Sequence, residues 1–211
     1  MVGLRRGDPA MRPLTLDDIV DQREYERERE DFRREVIALK RLRRVGIGPV
    51  VTVVFENRTT MRFQVQEMAR AEKMATDEQI RHELDAYNPL IPGPGELSMT
   101  LFIELTNSEE LREWLPKLVG IERDLVLEIG DPATGDLAVV RAAVDPAHEA
   151  QLTREEITAS VHYVRLALDE AQRDRFAGEP VRIAVDHSDY RYATELNPQT
   201  KASLLSDWDE D

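Results

Sequence analysis

The chain has 211 residues, 41% of them hydrophobic and 33% charged, with 42 acidic against 28 basic side chains and a formal net charge of -14. That length supports one good-sized core or two small ones, no run approaches the roughly 18 apolar residues that span a bilayer, and phosphate backbones repel such an overall charge, which argues against nucleic acid as a partner. There is no cysteine, which removes disulfides, thiolate nucleophiles, iron–sulfur ligation and cysteine-type structural zinc.

The opening MVGLRRGDPAMRPL has no apolar stretch behind its arginines, so it does not read as a signal peptide, and a cytoplasmic location is the expectation. Residues 1–10 carry no periodicity and read as a disordered tail, with Met11 a second candidate start. At Thr15 the first helical stretch opens: its hydroxyl can cap, and Asp17 and Asp18 favour the positive end of a helix dipole. A short helix over 16–21 leads into a longer one over about 23–43. There Tyr25, Phe32, Val36, Leu39 and Leu42 keep roughly helical spacing on an otherwise charged rod. Glu24, Glu26, Glu28 and Glu30 alternate with Arg23, Arg27 and Arg29, giving intrahelical pairs worth about 0.2–0.5 kcal/mol each. The helix ends on Lys40, Arg41, Arg43 and Arg44. Cations there offset the dipole, and the same cluster is a candidate patch for an anion or an acidic partner. Gly46 and Gly48 follow a helix and precede a strand, the reverse of a nucleotide-binding fingerprint, and read as a helix stop.

Val50 to Phe55, VVTVVF, predicts a buried strand. Residues 59–63 either return as a second strand or lead into a helix over 63–74 with Val65, Met68 and Ala69 inward. Thr76 and Gln79 form a capping box for a helix that buries Ile80, Leu84 and Tyr87. Pro89 ends it near Tyr87, and Pro92, Gly93, Pro94 and Gly95 make a stiff loop. LSMTLFIEL then alternates as a strand. Asn107 and Glu110 cap a helix carrying Leu111, Leu115 and Leu118, which Pro116 kinks or shortens. DLVLEIG and LAVVRAAVD around the turn DPATGD read as a hairpin. A short helix within 146–157, capped by Thr153 with Glu156 three residues on, follows. Next come a strand over 160–168, a helix over 170–177, the strand VRIAVD, a short strand in YRYATEL, and a helix from Pro198 to about Leu205. The tail SDWDED is acidic: it is either solvated or docks Trp208 on the basic cluster at 40–44. Helices before residue 90 and strands with short helices after it predict an α+β fold, with a helical N-terminal half packed on a mostly antiparallel sheet formed by residues 50–63 and 97–195. Residues 11–206 form one domain in this reading, with a helical part 15–88 and a β-rich part 97–206, and 207–211 form an acidic tail.

No motif fixes a reaction, and catalytic residues stay unassigned. There is no GxSxG, and His82, His148, His162 and His187 show no HxH, HxxxH or ExxH spacing. A metal site would need two helices to bring Glu67 or Glu72 against His82 and Asp85; the alternative is an exposed helical face. The densest polar set lies in 58–88: Arg58, Arg62, Gln66, Glu67, Arg70, Asp85, Tyr87 and Asn88. One reading is a cleft whose Arg and Gln groups receive an anionic or amide-bearing ligand or a partner loop. The other is structural, with Asp85 and Asn88 tying down the proline loop and Arg62 or Arg70 paired with Asp85. His187 lies just past a strand end, where Asp186 and Asp189 equally suit a turn.

At QVQEM and HELDAYNPLIP the sequence resembles a bacterial family of uncharacterised proteins, a domain of unknown function of about 200 residues. LTLDDIV, VTVVFENRTTMRFQVQEMARAEK, ELDAYNPLIP, VHYVRLAL and VDHSDY carry the match, which runs from about Met11 to Leu205. The resemblance supplies no catalytic residue and no cofactor. Members are often encoded beside rubrerythrin-like di-iron proteins and iron–sulfur oxidoreductases, which implies a partner role in oxidative stress or electron transfer. The expectation is therefore a cofactor-free cytoplasmic accessory protein that contacts a redox partner through the basic helix end and the 58–88 surface. The competing one is an enzyme or a small-ligand or metal binder using the carboxylate, histidine and arginine cluster of 58–88. Oligomeric state is left open.

Overall fold

The computed structural model describes residues 12–144 and 157–208. The expected disorder of 1–10, the helix within 146–157 apart from Ile157, His148, and the end of the acidic tail lie outside them.

After a 3₁₀ turn at Leu16–Asp18, Asp21 caps helix α1 (Gln22–Arg43) by accepting from the Arg23 and Glu24 amides. Strands β1 (Arg44–Ile47) and β2 (Val51–Glu56) follow, then α2 (Arg58–Ala71), α3 (Asp77–Tyr87) and a 3₁₀ turn at Asn88–Leu90. The second half runs β3 (Glu96–Ile103), α4 (Ser108–Lys117), a 3₁₀ turn at Ile121–Arg123, β4 (Leu125–Ile129), β5 (Ala138–Arg141) and β6 (Ala143–Val144). After the undescribed stretch come β7 (Val161–Ala167), α5 (Glu170–Gly178), β8 (Val181–His187), β9 (Tyr190–Glu195) and α6 (Pro198–Trp208). This is an α+β fold of two antiparallel sheets, ordered β1-β2-β3-β7-β6 and β5-β4-β8-β9.

The two sheets are linked on both sides. On one, the chain passes from β5 to β6 through Ala142, whose amide bonds the Leu125 carbonyl at 2.9 Å. On the other, Tyr190 of β9 donates its hydroxyl to the Ile47 carbonyl at 2.6 Å and accepts the Val50 and Val51 amides, both at 3.1 Å. Inward side chains of both sheets, among them Val53, Phe55, Met99, Leu101, Leu127 and Ile183, form one buried core. A second, smaller cluster joins Leu14 to Met61, Val65, Leu84, Leu90 and Ile91 beneath α2 and α3.

The structure corrects the sequence reading in four places. Residues 59–63, left open between strand and helix and counted with the sheet, are helix: the Asn57 side chain accepts the Thr60 amide, so the chain turns from β2 straight into α2. The glycines read as a helix stop belong to a hairpin. Val45 and Ile47 of β1 alternate into the core, and Gly48, at φ +72°, makes the turn with the Tyr192 ring 2.4 Å from where a Cβ would stand. The helix over 16–21 is only the 3₁₀ turn. Finally, the α1 stripe does not end on Leu42, which is 40% exposed, but on Arg43, which is 1% exposed. Arg43 turns inward because α6 offers it Asp207, 2.6 Å from Nη1 and 2.8 Å from Nη2, and the Ser203 hydroxyl at 3.0 Å from Nε.

Candidate functional site

Helix α2 sets out the polar residues of the 58–88 region by its period. Arg58, Arg62 and Gln66 stand four apart, on neighbouring turns. Arg58 and Gln66 meet the N-terminal segment 12–20. Arg58 Nη2 lies 2.6 Å from Asp18 Oδ1, and its Nε donates to the Arg12 carbonyl at 2.9 Å. Gln66 binds Val20 at two points: its Oε1 accepts the Val20 amide at 3.1 Å and its Nε2 donates to the Val20 carbonyl at 2.9 Å. Asn88, just beyond α3, does the same to Leu14, at 2.7 and 2.9 Å. Two side-chain amides thus pair with an extended backbone as a neighbouring strand would, while Leu14, Leu16 and Ile19 enter the small core.

The other side of α2 faces α1. Glu67 accepts the Tyr25 hydroxyl at 2.6 Å and a two-point contact from Arg29, at 2.8 and 2.9 Å. Those Arg29 bonds hold the Glu67 carboxyl below the usual carboxylate range against partial burial, and the same burial with the bond to Glu67 pushes the Tyr25 hydroxyl up. Arg70 pairs with Glu26 at 2.6 Å. Arg62 lies with its guanidinium 4.7 Å from the Phe32 ring centroid, and that ring packs edge-on against Phe63 at 5.4 Å. Tyr87 accepts from Gln64 at 3.4 Å. Asp85 is exposed and has no hydrogen bond or ion pair among the described residues.

The eight candidates therefore divide. Arg58, Gln66 and Asn88 converge on the chain's own segment 12–20, Glu67 and Arg70 tie α2 to α1, Arg62 covers an aromatic ring, and Asp85 and Tyr87 stand apart. The proline loop is held instead by Arg165, which donates to the Pro89 carbonyl. Glu72, His82 and Asp85 are exposed while Glu67 is taken up by Tyr25 and Arg29. Among the described residues, no three His, Asp or Glu side chains gather in a metal-ligating group.

The basic end of α1 divides too. Arg43 is buried against Asp207, so the start of the acidic tail does dock on the basic cluster, but through Asp207; Trp208 packs edge-on against Phe176 and donates to the Glu96 carbonyl instead. Arg44 pairs with Glu104 and lies over the Phe102 ring at 5.8 Å. Lys40 Nζ stands 3.6 Å from Glu56 Oε2. Arg41 is exposed and has no anionic partner among the described residues. Lys40, Arg41 and Arg44 edge a groove of about 320 Å³ whose other lining is Val36, Ile37, Val54 and Phe63.

A model of the family described as "Protein of unknown function (DUF3501)" matches residues 13–208. This chain belongs to the DUF3501 family. It is also similar to the crystal structure of a protein of unknown function from Burkholderia pseudomallei K96243. The identity is 36% and the TM-score 0.82, over 93% of this chain and 99% of that one. No curated protein matches.

In this DUF3501 chain, two buried polar sites carried no signal in sequence. Glu122, 1% exposed, places Oε2 3.8 Å from His162 Nδ1, and neither carboxylate oxygen has a hydrogen-bond partner among the described residues. His162 Nε2 lies 2.9 Å from the Ala159 carbonyl and 2.8 Å from the Thr158 hydroxyl. Glu56, under α1, accepts the Thr100 hydroxyl at 2.8 Å on one oxygen and has no hydrogen bond on the other. His187 fills a structural role: Nδ1 accepts the Asp189 amide at 3.2 Å and Nε2 donates to the Val119 carbonyl at 3.2 Å. The groove residue Ile37 was also missed, because it falls outside the α1 stripe; an apolar residue beside that stripe, one turn before two cations, was the available signal.

Proposed function

We propose that this DUF3501 member is a cytoplasmic accessory protein that binds another protein through the basic end of α1, with no reaction of its own. The observation that carries this reading is a contrast between two surfaces. The polar groups of 58–88 that suit a ligand cleft are taken up by segment 12–20 and by α1, whereas the groove beside Arg41 is open, apolar inside and cationic at its edge. Exposed apolar surface rimmed by polar groups is where proteins meet. The partner class to test first is the one that the family resemblance implies, a di-iron or iron–sulfur redox protein.

The test is titration of a purified redox protein of that class with the full chain, followed by calorimetry at low salt. Saturable binding that Arg41→Glu weakens supports the reading. Absence of binding to both a di-iron and an iron–sulfur protein counts against the redox partner. A stoichiometric transition metal in protein purified without chelators would favour a metal-binding role instead.

A further inference from the structure

We infer that the α1 groove receives a short acidic segment of the partner, with one large apolar side chain seated against Ile37 and Phe63 and carboxylates facing Arg41 and Arg44. This rests on the accessory reading above and names the chemistry that the groove selects. Its volume, about 320 Å³, lies at the small end of the range for ligand pockets, which suits one or two side chains better than a cofactor. Val36, 1% exposed, and Val54, 3% exposed, close the groove from beneath, and the half-buried Phe63 ring lines it. Ile37, at 43% exposed, is left standing on the wall, where an incoming apolar side chain would cover it.

Charge decides the sign of the occupant. The chain as a whole carries -14, so an acidic partner is repelled by most of its surface and attracted only where cations gather. At the groove edge Lys40 faces Glu56 and Arg44 shares Glu104, but Arg41 has no anionic partner among the described residues. Stacking over Phe102 helps hold Arg44 at the rim. Only a segment that is both acidic and apolar satisfies the edge and the floor together. A basic or purely apolar segment would meet Arg41 with repulsion or leave it desolvated without a partner. An anionic membrane offers the same charge but would be repelled by the acidic remainder of the surface.

The test uses the full chain and a fluorescein-labelled peptide with one phenylalanine flanked by glutamates, read by anisotropy. Two control peptides replace the phenylalanine by alanine or the glutamates by lysines. The expected result is saturable binding of the first peptide and weaker binding of both controls. Arg41→Glu should cut affinity for the glutamate peptide about tenfold, and the lysine peptide should regain affinity for that variant. Ile37→Asp should also weaken binding, and because Ile37 is exposed its melting curve should match the wild type.

Equal binding of glutamate and lysine peptides, or no effect of Arg41→Glu, overturns the inference. So does a dimer in sedimentation that Arg41→Glu disperses, since the groove would then be covered by a second copy, and so does capture by anionic vesicles. If a redox partner binds and Arg41→Glu releases it while the acidic peptide does not bind, the accessory reading stands and this inference fails. If the peptide binds and no redox partner does, this inference stands and the redox class of partner fails.

Discussion

Removing one carboxylate from the end of α6 should unfold the protein at a markedly lower temperature. Arg43 is 1% exposed, and its guanidinium meets both oxygens of Asp207, one of which also accepts the Asn57 side-chain amide at 3.0 Å. Asp207→Ala leaves that cation buried with only Ser203 for a partner. Breaking a buried pair from one side costs about 3–5 kcal/mol, and in a chain of this size each kcal/mol lowers Tm by roughly 2–4 °C. The expected drop is therefore on the order of 6–20 °C. Arg43→Met removes the need for the pair and fills similar volume, so Arg43→Met with Asp207→Ala should lie well above Asp207→Ala alone. Denaturant unfolding of the two single variants and the double variant gives the coupling energy directly. Additive costs, or an Asp207→Ala penalty under about 1 kcal/mol, would refute the claim that this pair fastens α1 to α6.

Three further outcomes are expected. Gln66→Ala or Asn88→Ala strips paired backbone groups from Val20 or Leu14, so each should cost about 1–3 kcal/mol and raise amide exchange across residues 13–20 ahead of the rest. Gly48→Ala forces a Cβ into the Tyr192 ring at positive φ and should destabilise by more than about 1 kcal/mol without changing the groove at Arg41. Glu67, held below the usual carboxylate range by Arg29, adds stability that is complete above the unfolded pKa of about 4.3 and is lost as pH falls through its lower folded value. Wild type should thus lose its advantage over Glu67→Gln as pH is lowered below 4, which paired urea melts would show.

Most elements were legible because their signals are local. Capping residues at Asn107 and Thr76 each sit at the N-cap of the helix they announced, and the strand assigned to 160–168 is β7. Where the reading failed, a tertiary partner had overridden the local pattern. Arg43 looks like a solvated C-terminal cation, and only Asp207, far along the chain, makes it a core residue. β1 is four residues long with a glycine in it, too short for alternation to show, and is held by β2 and by the Tyr190 hydroxyl. Residues 59–63 follow a strand run and so suited a returning strand as well as a helix; the Asn57 side chain, by capping α2, decides for helix.

The residues of 58–88 show a different kind of override. Within the chain an arginine takes a carboxylate and side-chain amides take a backbone. What the residues 58–88 could not disclose is that the carboxylate is Asp18 and the backbone that of Leu14 and Val20. A cluster of hydrogen-bonding side chains shows what it can bind but not whether the same chain already supplies it. The string ELDAYNPLIP illustrates this: Leu84, Leu90 and Ile91 build the small core and Asn88 clamps Leu14, so it helps fix the fold. By the same reasoning the residues to weigh for function are those with an unmet need: Arg41 without an anion and Ile37 without cover.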